Sequence, residues 1–359
     1  MTIRSSTFGS ICAGLLCLML IGCKVMDRNL GEGAAQNTLE AKSTAEADAA
    51  VKYANAQVEN EAPYQEGYFE YQGVTLHYVE AGEGDLIIFY HGFPSFWFSF
   101  YDQMEAFRHE YRVVAVDGLG AGHSDKPNDL SLYRAEALAE HLDALAMYLA
   151  EDEKFTLVGH DWGGALAMAF AESRPERLRA VASFNAPSMN VFLDLLRHDE
   201  QQQRTSRYMA VMATTPQQAV IENPPGEQIW RDSYGGLLSR GEISEEEYEL
   251  FGEALRPAAA SNGGFNWYRA NVPLPANIED QDYWPNPPRQ IAVPALLVWG
   301  TGDRAFVPSF IDRMQGVIPD LEVDVFDGAN HWSTMSHPEL SNQAIARLLE
   351  RTADDATAR

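Results

Sequence analysis

From about residue 68 to residue 351, short apolar runs alternate with stretches in which apolar positions recur every three or four residues. The short runs are rich in β-branched and aromatic residues and predict strands, whereas the longer stretches predict helices at 135–149 and 337–351. Strands that alternate with helices are typical of an α/β domain with a mostly parallel sheet. The predicted strands are residues 75–80, 86–90, 113–116, 155–158, 181–184, 295–299 and 321–326.

The alternation stops at residues 188–290, where aromatic-rich helical pieces and proline-rich breaks take over. This change in pattern predicts a helical cap inserted into an α/β core. The core then comprises residues 67–187 and 291–351, and residues 352–359 are predicted to form a C-terminal tail.

The sequence GHDWG at residues 159–163 has the form G-x-Nu-x-G, with Asp161 in the central position. A predicted strand precedes it and a run of small residues suited to a helix follows it, which is the context of a nucleophile elbow. A carboxylate needs no base to become a nucleophile, and it can attack a saturated carbon to leave an ester on the protein. Taken alone, the same aspartate would also serve as a helix N-cap.

Two further candidate residues follow later strands. Asp303 lies in the loop after strand 295–299, and His331 lies in the loop after strand 321–326. Because parallel strands bring such loops to one edge of a sheet, His331 could deprotonate a water molecule there, with Asp303 fixing its tautomer. The order nucleophile, acid, histidine is that of an α/β-hydrolase triad.

The chain of 359 residues carries a net charge of −26 and has a pI near 4.6. Phosphate binding requires clustered Lys and Arg, so this charge argues against nucleic acid and anionic membrane surfaces as partners. The histidines show neither metal-ligand spacing nor pairing with cysteines, and therefore no metal and no other cofactor is expected. The length suits one large α/β domain with an insertion.

Five short motifs together resemble the α/β-hydrolase-fold epoxide hydrolases, and the resemblance covers residues 68–351. It implies an α/β-hydrolase fold with a helical cap. It also implies a cofactor-independent enzyme that opens a small hydrophobic epoxide to a vicinal diol through an ester on Asp161. The motifs are HGFP at 91–94, GHDWGG at 159–164, NAP at 185–187, GGFNWYRAN at 263–271 and NHW at 330–332.

In an α/β hydrolase, the loop after the strand at 86–90 and the residue after the nucleophile donate backbone N–H groups to an oxyanion. These two donors would be Phe93 and Trp162. The epoxide hydrolases also use two cap tyrosines to bond the epoxide oxygen, and the match implies Tyr268 and Tyr208. Ring opening produces a strongly basic alkoxide, which is why such donors are needed.

Haloalkane and haloacetate dehalogenases share this fold, nucleophile and histidine, and they are an alternative. They must bind a departing halide with N–H donors. Trp162 could supply one donor, but Phe93 stands where haloalkane enzymes often carry a donor such as Asn.

A non-catalytic, hydrolase-like binding lipoprotein is a second alternative, although no member of the triad is missing. Asn330 departs from the family pattern, because a glycine is common at that position.

Residues 1–22 are predicted to form a signal peptide, because the apolar run at 11–21 is too short to span a bilayer. The run ends in LIGC, which resembles the bacterial lipobox, where the chain is cut before a Cys that is then lipidated. Cys23 would anchor the protein in the bacterial cell envelope, with its domain facing the periplasm or the exterior. Lys24, which stands in place of an Asp, resembles the pattern that is sorted to the outer membrane. Residues 23–66 would form a disordered tether. An ordinary signal peptide is the alternative.

Overall fold

The computed structural model describes residues 48–58 and 63–357, with side chains as far as residue 352. The predicted signal peptide, the predicted lipidation site at Cys23 and most of the predicted tether lie outside the described residues. None of the helices in the described part of the chain combines the length and the apolar character that a membrane span requires.

The strands are β1 (Gln65–Tyr71), β2 (Val74–Ala81), β3 (Leu86–Tyr90), β4 (Arg112–Val116), β5 (Phe155–His160), β6 (Leu178–Phe184), β7 (Ala295–Gly300) and β8 (Leu321–Phe326). They form one sheet in the order β1-β2-β4-β3-β5-β6-β7-β8. The pairs β1–β2 and β2–β4 are antiparallel, and all the others are parallel. The predicted fold class, an α/β-hydrolase fold with a mostly parallel sheet, is confirmed.

The helices are α1 (Ala49–Ala56), α2 (Tyr101–Phe107), α3 (Ala135–Ala150), α4 (Trp162–Ser173), α5 (Met189–His198), α6 (Glu200–Thr205), α7 (Arg207–Thr214), α8 (Gln217–Glu222), α9 (Gly226–Arg240), α10 (Glu245–Leu255), α11 (Ala258–Asn271), α12 (Phe310–Val317), α13 (Ser333–Ser336) and α14 (Pro338–Thr357). Helices α5 to α11 occupy the interval between β6 and β7 in which the cap is predicted. The predicted tail is helical as far as Thr357, because α14 continues through it.

Alternate residues of the central strands enter two apolar layers, one on each face of the sheet. On β3, Ile88 packs into the layer that contains Leu142 of α3 and Leu166 of α4. Its neighbours Ile87 and Phe89 pack into the opposite layer, which includes apolar residues of α2 and α14. Burial on both faces explains why the central strands are continuous apolar runs in the sequence.

The N-terminal helix α1 shows that the predicted tether ends earlier than residue 66. Asp48 caps the helix, and its side chain accepts a hydrogen bond of 2.8 Å from the Ala50 N–H. Ala50, Val51 and Ala54 are buried against the layer of α2 and α14. The prediction fails here because small side chains bury little area each and do not form a recognisable apolar stripe.

Candidate active site

Asp161 occupies the turn between the end of β5 and the start of α4. Its φ of 54° is a left-handed value, which costs a non-glycine residue about 1–3 kcal/mol. The turn is tight enough that a Cβ on Gly163 would overlap the carbonyl oxygen of Tyr90. The strained turn projects the Asp161 carboxylate beyond the carboxyl ends of the parallel strands, where the active sites of this architecture lie.

Backbone donors hold the Asp161 carboxylate. The Phe93 N–H donates a hydrogen bond of 2.9 Å to Oδ1, and the Trp162 N–H also bonds the carboxylate. Gly92 is so close that a Cβ there would overlap the carboxylate. Phe93 and Trp162 are the two oxyanion donors predicted from the sequence, and the structure places both N–H groups against Asp161.

His331 lies between two carboxylates. Its Nε2 is 3.4 Å from Asp161 Oδ2, and its Nδ1 is 2.9 Å from Asp303 Oδ2. The three residues predicted as nucleophile, base and orienting acid are therefore brought together. The second oxygen of Asp303 is held by the Ala305 N–H at 2.7 Å, which fixes the carboxylate that orients the imidazole.

The charges of this triad support one another. Burial raises the pKa of Asp161, but the hydrogen bond and charge of His331 bring it below its ordinary value. Burial also raises the pKa of Asp303, and the charge of His331 lowers it by more. For His331, burial lowers the pKa, yet Asp303 and then Asp161 raise it to about 10. At neutral pH the free protein therefore holds an imidazolium between two carboxylates.

Two tyrosines of the cap approach the same carboxylate. Tyr268 of α11 meets the Trp162 ring edge-to-face, with the ring centroids 5.0 Å apart. Burial and the charge of Asp161 raise its pKa well above the ordinary value. Burial, then Tyr268, Asp161 and Asp303, raise the pKa of Tyr208 of α7 in the same direction. Both hydroxyls therefore stay protonated and can act as donors.

A cavity of about 20 Å³ borders the nucleophile. A space of this size holds about one water molecule, so a larger molecule requires cap side chains to move. Its walls are almost entirely apolar, which suits a hydrophobic substrate. The lining residues are Asp161, Trp162, Ala165, Pro187, Met189, Phe192, Met209 and Phe306.

Two contacts of the triad have no counterpart in the sequence-based prediction. His160 Nε2 lies 2.8 Å from the backbone carbonyl oxygen of His331. The position of His160 beside the nucleophile in the sequence does not indicate this contact. Asn185 Nδ2 donates 2.9 Å to Asp303 Oδ2, and the Ser333 hydroxyl donates to Asn185 Oδ1. The NAP motif after β6 marks the position of Asn185 without indicating this role.

The departure from the family pattern at Asn330 is accommodated outside the triad. Its Oδ1 accepts a hydrogen bond of 2.7 Å from the Trp332 N–H.

Within the described residues, the one group of His, Asp and Glu side chains with the spacing of a metal site lies elsewhere, at Asp48, Glu66 and His77.

Residues 85–338 match the protein family that is described as having the alpha/beta hydrolase fold. The chain belongs to this family. This α/β hydrolase is 30% identical over 284 residues to the AB hydrolase superfamily protein YfhM of Bacillus subtilis, across 77% of the chain and 95% of the relative. It is 29% identical over 289 residues to epoxide hydrolase 3 of Mus musculus, across 77% of the chain and 74% of the relative.

A solved structure of an epoxide hydrolase has the same fold as this chain. The Bacillus megaterium epoxide hydrolase in complex with an inhibitor superimposes with a TM-score of 0.71 at 25% identity, over 79% of this chain and all (100%) of the other. The protein is thus an enzyme of the α/β hydrolase family, with epoxide hydrolases among its relatives and structural neighbours.

Proposed function

We propose that this α/β hydrolase opens small hydrophobic epoxides to vicinal diols through a covalent ester on Asp161. The observation that carries the proposal is the unequal environment of the two carboxylate oxygens. Phe93 N–H holds Oδ1, whereas Oδ2 faces His331 and is the oxygen left to attack. The relatives and structural neighbours named epoxide hydrolases support the same substrate class.

In the first step, Asp161 Oδ2 attacks a ring carbon of the epoxide. The carbon–oxygen bond of the ring breaks, and its electron pair goes to the ring oxygen. Tyr208 and Tyr268 donate hydrogen bonds to this oxygen, which stabilises the developing alkoxide. The cost of an unpaired alkoxide in an apolar cavity makes these donors necessary.

Formation of the ester removes the negative charge of Asp161. The pKa of His331 then falls, because one of the two carboxylates that raise it is gone. The alkoxide gains one proton from the tyrosine hydroxyls that contact it. The imidazolium of His331 loses one proton, which restores the tyrosine hydroxyl. His331 is left as a neutral base beside the ester.

In the second step, His331 takes a proton from water and the resulting hydroxide attacks Cγ of Asp161. The oxyanion forms at Oδ1, which accepts the Phe93 N–H in the free protein, and the Trp162 N–H is the second backbone donor to this group. The Cγ–Oδ2 bond breaks, and the diol leaves with Oδ2 and a proton from His331. The new carboxylic acid returns its proton to His331, so Asp161 keeps one oxygen atom from water.

The dehalogenase alternative has less support at this site. A leaving halide needs side-chain N–H donors near the carbon under attack, and Phe93 offers only carbon atoms from its side chain. The indole N–H of Trp162 is directed to the oxygen of Tyr268. The tyrosine pair matches an oxygen leaving group that stays attached to the substrate.

A panel of epoxides and haloalkanes, scored for diol and for halide release, tests the proposal. We expect diol from hydrophobic epoxides. One turnover in ¹⁸O-water should place the label on Asp161 and leave the first diol unlabelled. Halide release without diol would instead support a dehalogenase, and no product from either class would support a binding protein.

We also propose that Cys23 is lipidated and holds the enzyme in the bacterial cell envelope, with the outer membrane as its site. The support is the apolar run followed by LIGC at residues 20–23, and the fact that no cysteine follows Cys23 in the sequence. Acyl chains on one cysteine would be sufficient for stable anchoring.

A further inference from the structure

A second group of ionisable side chains lies near the start of the folded chain, on strands that do not carry the triad. Asp48 precedes α1, Glu66 belongs to β1, and His77 belongs to β2. The antiparallel register pairs Tyr68 with His77, and Glu66, two residues before Tyr68, shares that face. One potential ligand atom from each of the three side chains lies within 4.8 Å of the other two.

His77 is buried, and one of its ring nitrogens is unused within the described part of the chain. Its Nδ1 is 2.8 Å from Asp117 Oδ2, whereas its Nε2 has no hydrogen-bond partner among the described residues. The Asp117 carboxylate is itself fixed by the backbone N–H groups of Trp97 and His123, each of which donates a hydrogen bond of 2.8 Å. A carboxylate that accepts from one imidazole nitrogen directs the lone pair of the other toward a ligand, as at metal-binding histidines.

Asp48 is a buried carboxylate held in place by neutral donors. The Trp97 indole N–H donates 2.7 Å to Oδ2, and the Asp48 backbone N–H donates to Glu66 Oε1. Within the part of the chain that the structure describes, no lysine or arginine forms an ion pair with Asp48 or Glu66. The nearest cationic candidate that pairs with Asp48 is His123, whose Nε2 is 4.0 Å from Oδ1.

We propose that Asp48, Glu66 and His77 Nε2 bind a divalent first-row transition metal ion such as Zn²⁺. The ion would supply the positive charge that two clustered carboxylates lack, and it would give the unused His77 nitrogen a partner. His123, whose Nε2 is 4.0 Å from Asp48 Oδ1, is the side chain that could approach as a fourth ligand. Metal–ligand bonds of about 2.0–2.2 Å would draw the ligand atoms together and fasten α1 to the edge of the sheet.

The donor set decides the class of ion. Imidazole nitrogen favours Zn²⁺ and its first-row neighbours, whereas Ca²⁺ and Mg²⁺ prefer sites built only from oxygen. The sequence does not reveal this site, because its ligands have no motif spacing and two of them, Asp48 and Glu66, lie in the segment predicted to be disordered. The site is independent of the epoxide chemistry at Asp161.

The test measures Zn²⁺ binding to the full-length protein after removal of metals with a chelator. Isothermal titration should show one ion per chain, and the melting temperature should rise with Zn²⁺ but much less with Ca²⁺. Asp48→Asn and Glu66→Gln keep the shape of each side chain and should weaken Zn²⁺ binding by about 10-fold or more. Glu70→Gln, on the same face of β1 but exposed, is the matched control and should bind like the wild type.

His77→Gln is less decisive, because it also removes the bond to Asp117 and could unfold the chain. Co²⁺ substitution avoids this difficulty, since its visible spectrum reports nitrogen ligation in the intact protein. No Zn²⁺ binding to folded wild-type protein would overturn the proposal. So would equal binding by the wild type, Asp48→Asn and Glu66→Gln, or a Co²⁺ spectrum of oxygen ligands alone.

Discussion

The side-chain amide of Asn185 donates a hydrogen bond of 2.9 Å to Asp303 Oδ2. The same oxygen faces His331 Nδ1, so the amide and the imidazole share one acceptor. Asn185 is itself oriented by the Ser333 hydroxyl. The position of the orienting carboxylate thus depends on a side chain whose amide bonds Asp303 and Ser333.

We expect Asn185→Gly to slow ester hydrolysis by about 10-fold, the effect of losing roughly 1.4 kcal/mol. Glycine accommodates the φ of 55° at this position. Alkylation should change little, because Asp161 keeps its backbone donors. Single-turnover kinetics separate the two steps. Asn330→Gly, which removes an amide bonded outside the triad, is the control, and equal losses in both steps would count against a positioning role.

His331→Gln should trap the ester. Alkylation by Asp161 needs no base, whereas hydrolysis needs His331 to activate water. With excess epoxide, intact-protein mass spectrometry should show the mass of one substrate added, located on the peptide that contains Asp161. Asp161→Asn should show no adduct. A folded His331→Gln protein that never acquires the adduct would disprove the two-step mechanism.

The two steps should respond differently to pH. The pKa of Asp161 lies below its ordinary value, so alkylation should be nearly constant between about pH 5 and 9. Hydrolysis requires neutral His331, whose pKa is about 10 in the free protein and falls when the ester removes the Asp161 charge. The hydrolysis rate should therefore rise with pH to a plateau, with a midpoint below the pKa of the free enzyme. Rapid-quench measurements across pH check this, and a hydrolysis rate that falls with rising pH would contradict it.

Tyr208→Phe and Tyr268→Phe should each slow alkylation. Losing one preorganised donor to a developing oxyanion costs about 10²–10³ in rate, less where the other tyrosine compensates. The double variant should abolish alkylation, while inert neutral analogues still bind. Tyr248→Phe is the matched cap control, because Tyr248 lies in α10 and packs against Trp230, with the ring centroids 4.3 Å apart and the rings tilted by 31°. Near-normal epoxide conversion by the double variant would show that the cap donors are assigned wrongly.

Cys23→Ser should release the enzyme from the membrane fraction or leave its signal peptide uncut. Cys17→Ser removes a thiol from the same segment and should leave anchoring unchanged. Fractionation of cells that express each variant, with mass spectrometry of the mature N-terminus, measures both effects. Unchanged fractionation of Cys23→Ser would argue for an ordinary signal peptide or another means of attachment.

The sequence predicts the parts of this enzyme that depend on local pattern. Buried parallel strands appear as continuous apolar runs, and the elbow at Asp161 follows from glycine spacing. The sequence does not predict β1, because none of its residues is buried, as an edge strand allows. Asn185 and His160 act through tertiary contacts with Asp303 and His331, and such contacts leave no periodic signal in the chain.

Val181 of β6 lies beside Ala295 of β7 in the sheet, although the whole cap separates them along the chain. During synthesis, β6 is therefore complete long before its partner strand emerges from the ribosome. An uncovered strand edge readily pairs with other chains, so nascent β6 is open to such pairing while the cap is being translated. Any protection of nascent β6 would have to act in that interval, before Asp303 and His331 have been made.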